Sequence, residues 1–150
     1  MADGVDFTLL FRSMCTWSPP AAGSSSDALH DSLIELLRPA ALGDVDEWPR
    51  AQLAEWATWA VQYGARVASE GRASDERQAE MKLANPKYIL RNWMAAQAYD
   101  AAAQGDVSLV RELHQVLLAP YDEQSAAVES RWARPTPEWA RSKMGLAFMT

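Results

Sequence analysis

Lys87 and Arg91 stand four residues apart just after Asn85-Pro86, and here the chain places its clearest candidate chemistry. Asn85 has the short acceptor side chain of a helix N-cap, and Pro86 suits the first helical position, where its missing N–H costs nothing. On that reading a helix runs from Pro86 to about Gln104, with Gly105 as its left-handed stop. Lys87 and Arg91 then share one face near its start, beside Asn92. Two cations, the positive end of the helix dipole and unpaired N–H groups together favour an anion. That anion is a phosphate or, the reading favoured here, a carboxylate on a neighbouring domain. A plainer account stands beside it: Asn85 caps, Pro86 starts, and Tyr88, Ile89, Trp93 and Met94 fill a core.

Other chemistries find little support. Cys15 is the only cysteine, so neither an internal disulfide nor a multi-cysteine zinc site can form. His30 and His114 lie far apart without metal-ligand spacing and read as helix-surface residues. The 7 glycines are scattered and build no phosphate-cradling loop. Ala2-Asp3-Gly4 resembles a metal-binding D-x-G without the strand that should precede it. Asp44-Val45-Asp46-Glu47 lacks the twelve-residue calcium loop and reads as a solvated acidic turn. Catalytic, cofactor-binding and metal-binding residues are therefore all left unassigned.

The elements that would position Lys87 and Arg91 are helical throughout. A first helix covers about 4–14, with Asp3 or Asp6 near its start and Phe7, Leu10, Phe11 and Met14 on one face. Residues 18–26, rich in Pro, Ser and Ala, read as a flexible linker. A second helix starts after Ser26 or Asp27 and stops at Pro39; a third spans roughly 49–70 and ends near Gly71. Ser74 caps a fourth, with Asp75 and Glu76 in its first turn. After the helix begun at Asn85, a sixth runs from Asp106 or Ser108 to Leu118 and is terminated by Pro120. Beyond it the pattern weakens into a loosely structured tail, 125–150, with short helices from Ser125 and from Pro137. The expected fold is one all-α domain of about six to seven helices.

Composition bounds the rest. The 150 residues are 49% hydrophobic and 23% charged, which is ordinary globular usage. The net charge is −6, with five Lys/Arg against eleven Asp/Glu in residues 1–75 and nine against nine thereafter. That balance argues against a nucleic-acid partner. No run approaches the roughly 18 apolar residues of a membrane span, and the acidic N-terminus lacks a basic targeting start. The expectation is a cytoplasmic protein with no membrane partner. Among the 7 tryptophans, Trp56, Trp59 and Trp93 read as core. Trp132 and Trp139, lying among Arg131, Arg134 and Arg141, suit Arg–Trp stacking or contact with another domain.

The run NPKYILRNWMA (85–95), followed by Gly105-Asp106 and by PYDEQ (120–124), closely resembles the C-terminal region of the selenoprotein O family. The strong match covers about 77–124. Asp6-Phe7-Thr8…Phe11-Arg12 is similar to the helix just after that family's kinase-like core, and Pro137-Glu138-Trp139-Ala140 to its closing segment. The resemblance implies a fragment of a pseudokinase-like protein adenylyltransferase, a nucleotidyltransferase that moves AMP from ATP onto protein Ser, Thr or Tyr hydroxyls (AMPylation). It implies ATP and Mg²⁺ for the full-length family, bound upstream of this region and not by this chain. It also implies a partner, the kinase-like domain, in cis or as a split partner. The tail Gly145-Leu146-Ala147-Phe148-Met149-Thr150 departs from the family's usual Cys or selenocysteine ending, which puts redox regulation there in doubt.

Read this way, the chain supports or docks on a kinase-like domain and lacks its catalytic site. Lys87, Arg91 and Asn92 are the candidate contacts, and Asn85 the helix cap. The alternatives are a stand-alone helical interaction module and a non-functional gene fragment. A small enzyme with an unrecognised site is disfavoured by the lack of any convergent His, Cys or acid cluster. The purified chain should give a helix-dominated circular dichroism spectrum; a strand-dominated one would contradict this reading.

Overall fold

The structure, a computed structural model, describes residues 4–20, 23–143 and 146. Ala2 and Asp3, the Ala21-Ala22 part of the expected linker and most of the tail from Met144 onward lie outside the described residues. Eight α-helices are described, and the only extended pairing among the described residues is an isolated antiparallel bridge between Val5 and Ala41. The fold is all-α. The expected single domain is instead two compact units, Met1–Asn85 and Pro86–Thr150, each with its own apolar cluster. The division falls at an X-Pro bond. The Pro86 ring disfavours helical geometry at Asn85, which is extended at φ −118 and ψ 104.

In the first unit α1 is Phe7–Met14, and the Asp6 carboxylate accepts from the Leu9 N–H at 3.1 Å. α2, Ser26–Leu37, is capped by Ser25 and buries Leu33, Leu36 and Leu37 almost completely. A 3₁₀ turn over Val45–Glu47 follows, closed by Asp44 onto the Asp46 N–H, and Arg38 pairs with Asp46 at 3.0 Å. The acidic Asp44–Glu47 turn is thus held by its own chain. α3, Arg50–Glu70, ends at Gly71, whose left-handed φ of 62 is glycine's to adopt without strain. Trp17, Trp59 and Tyr63 stack with centroids 5.4–6.4 Å apart. Pro19 rests on Gly64, where an added Cβ would stand 3.0 Å from the proline Cβ. Pro19, within the expected linker, is therefore packed against α3, while Ser18 and residues 23–26 are exposed.

α4, Ser74–Ala84, is tied to α1 by two arginines that cap each other's helices. Arg12 Nη1 donates to the carbonyls of Lys82 and Asn85 at 3.2 and 3.0 Å, at the end of α4. Arg77, only 6% exposed, donates to the carbonyls of Met14 and Trp17 at 3.4 and 3.0 Å, at the end of α1. These carbonyls are among the acceptors that a helix terminus leaves without partners.

In the second unit α5 is Asn92–Ala103 and α6 is Ser108–Leu118, packed as a helical hairpin. Its turn satisfies the last carbonyls of α5: Asp106 N–H donates to Ala101 O at 3.0 Å and Gly105 N–H to Ala102 O at 2.9 Å, with Gly105 at φ 89. α7, Ala126–Trp132, starts at a Ser125 cap, and α8 is Glu138–Arg141. Trp132 and Trp93 stack at 5.8 Å in the core of this unit, so the tail is less loose than its sequence pattern. Arg131 lies over Trp132 and Arg134 over Trp93, at 4.8 and 5.0 Å from the ring centroids, while Trp139 stays exposed.

Replacing Arg77 with methionine should leave the Met14 and Trp17 carbonyls buried without their donor. Urea denaturation should show a loss of about 2 kcal/mol; a change within about 0.5 kcal/mol would mean that the guanidinium is not needed there.

Candidate functional site

The helix expected to start at Pro86 does not form until Asn92. Asn85 is the C-cap of α4 rather than the N-cap of α5: its side-chain amide and its backbone N–H both donate to Met81 O, at 2.8 and 2.9 Å. Residues 86–91 run without helical structure. The Pro120 carbonyl, two residues past the end of α6, accepts the N–H groups of both Lys87 and Tyr88, at 2.8 and 3.1 Å. In a helix begun at Pro86 those two groups would have been terminal donors without partners.

Lys87 and Arg91 therefore do not share a helical face. The Lys87 ammonium sits between Glu123, at 2.5 Å, and Glu129 of α7, at 2.9 Å, with its side chain only 10% exposed. The carboxylates that hold it come from its own unit, where the sequence reading favoured one on a neighbouring domain. Burial opposes the charge, and the two glutamates outweigh it, so the ammonium is held above its usual pKa of 10.5. Arg91 is the N-cap residue of α5 and is 6% exposed, its carbonyl accepting from Met94 and Ala95. Asn92, the first residue of α5, is half-buried.

The second motif closes the arrangement. Gln124 Nε2 donates to the carbonyls of Val116 and Ala119 at 2.9 and 3.2 Å, covering the open end of α6. Tyr88 is buried to 2% beside this loop, and burial pushes its phenol above the usual range. NPKY and PYDEQ thus fasten to one another, through Pro120 and Glu123. Sequence reasoning did not pair the motifs or single out Gln124 and Glu129. The available signal was weak: a lysine in one segment and acids in and after the other.

Among the described residues no group of three or more His, Cys, Asp or Glu is placed to hold a metal. His30 and His114 are exposed. Cys15 is fully buried, its thiol 3.3 Å from the Phe11 carbonyl, and burial raises its pKa against the pull of Arg12 and Lys82. No helix among the described residues is long and apolar enough to cross a membrane.

A helical unit whose paired motifs are engaged with each other is the frame in which the comparisons with known proteins fall. No protein-family model matches the chain. The protein nucleotidyltransferase YdiU of Xanthomonas oryzae pv. oryzae is 38% identical over 148 residues, 97% of this chain and 26% of the relative. The protein of the same name from Nitrosospira multiformis is 36% identical over 159 residues, 97% of this chain and 28% of the relative. By sequence, then, 97% of the chain is similar to part of the selenoprotein O-type protein nucleotidyltransferases named YdiU. The chain spans about a quarter of the length of these relatives.

Lys87→Met should remove the centre of the Glu123–Glu129 pairing and lower stability at pH 7 by about 1–2 kcal/mol, the glutamates being half-exposed. Because the folded pKa is raised, Lys87's contribution is fully present below pH 10.5. It is lost as the pH rises through the higher folded value. Wild type and variant should therefore converge in alkaline urea titrations and stay separated at neutral pH. A gap unchanged at alkaline pH would assign Lys87's effect to packing alone.

Proposed function

We propose that this chain is the C-terminal helical region of a selenoprotein O-type protein nucleotidyltransferase, supporting a kinase-like domain without itself carrying the catalytic site. The observation that carries the reading is the length relation: 97% of the chain matches, yet the match fills only 26–28% of each relative. The site geometry supports it. The most family-like motifs hold helix ends and one another, which is scaffolding work. ATP and Mg²⁺ binding, and transfer of AMP to protein hydroxyls, belong on this reading to the remainder of the full-length protein.

The buried placement changes how the support is given. Lys87, Arg91 and Asn92 act as positioning residues inside their own unit, and contact with the kinase-like domain falls to exposed apolar side chains elsewhere. A stand-alone interaction module would use similar surface, but the near-complete match to part of a longer protein favours the supporting role.

Two measurements check this. Calorimetric titration of the chain with ATP·Mg²⁺ should give no binding, and radiolabelled ATP should leave no AMP on added protein; micromolar binding or transfer by the chain alone would overturn the reading. Removing the matching region from the X. oryzae relative should lower its nucleotidyl transfer at least about tenfold, through lost support of the catalytic geometry. Undiminished transfer would show that the region is dispensable.

A further inference from the structure

The apolar face of α1 is covered on one side only. Leu10 and Met14 are buried in the first unit, but Phe7, the first residue of α1, is 73% exposed and lies against Phe11 at 4.5 Å between centroids. With Val5, Trp56 and Trp59 these side chains line a groove of about 260 Å³. Every lining residue is apolar or aromatic. Exposing this much aromatic surface is unfavourable in water and marks a contact site. The volume is below the roughly 300–1,000 Å³ of small-molecule pockets, and it suits the anchor side chain of a protein partner.

We propose that this groove receives an apolar anchor from the part of the protein that precedes this region in full-length relatives. The inference rests on the C-terminal reading given above and names the surface that does the docking. About three quarters of such a protein lies outside the matched region, since the match fills 26% of the relative. On the C-terminal reading that remainder joins ahead of residue 4, next to Val5 and Phe7, which are among the first described residues. A partner tethered there reaches the groove at high effective concentration. Phe7 supplies a large rigid surface at small entropic cost, as interface anchors do.

The test co-expresses this chain with the X. oryzae relative from which the matching region has been removed, then follows dissociation of the complex after dilution. Phe7→Ser should speed dissociation at least about tenfold, while Leu118→Ser, also exposed but on the second unit, should change it less than about twofold. Complex formation should also shift tryptophan emission to shorter wavelength, as water leaves the half-buried Trp59. Both variants should keep the wild-type circular dichroism spectrum. Binding that is indifferent to Phe7→Ser would overturn the groove assignment and leave the docking reading standing. Failure of the wild-type chain to form the complex would contradict both. If Phe7→Ser only converts a dimer of this chain to monomer, the groove belongs to a second copy and the proposal is wrong.

Discussion

Pro120 ends one helix and, through a single carbonyl, organises the start of another. Its oxygen takes the N–H groups of Lys87 and Tyr88 at 2.8 and 3.1 Å. The chain entering the second unit is thereby kept out of the helix that its own composition invites. Three consequences follow from that contact. Lys87 is brought between Glu123 and Glu129; Tyr88 is turned into the core beside Trp93 and Trp132; and α5 is made to begin at Asn92. Each buried donor or acceptor left unmatched here would cost about 1–3 kcal/mol, so the arrangement is held by the penalty for breaking it.

The first unit solves the same problem of helix ends with arginine. Arg12 and Arg77 each reach across to carbonyls at the end of the other's helix. Arginine suits this task because its several donors lie in one rigid plane and it remains charged when buried. The aromatic stack of Trp17, Trp59 and Tyr63 packs in the same unit. Burial of this apolar surface is the main stabilising term, at roughly 25 cal/mol per Å²; the arginines determine which helix ends meet.

Much of the fold was legible because local signals agreed. Asp6 and Ser125 cap where short polar side chains precede apolar runs, and Gly71 and Gly105 stop helices at positive φ. Phe7, Leu10, Phe11 and Met14 do share a face. The region around Asn85 was misread because its competitor is distant: no local pattern announces that the Pro120 carbonyl will outbid helix formation at Lys87. The two-unit division was missed for a related reason. Asn85-Pro86 serves equally well as a helix start or as a break, and the arginine contacts that favour the break are set by packing. Buried Trp132 was masked by the charged, proline-rich sequence around it.

The central claim is that NPKY and PYDEQ form a structural fastening. Native-state hydrogen exchange of the Lys87 and Tyr88 amides tests it most directly. Held by Pro120, they should exchange as slowly as the amides inside α6, and together with them. Exchange at the rate of an unprotected peptide, with α6 still protected, would contradict the account.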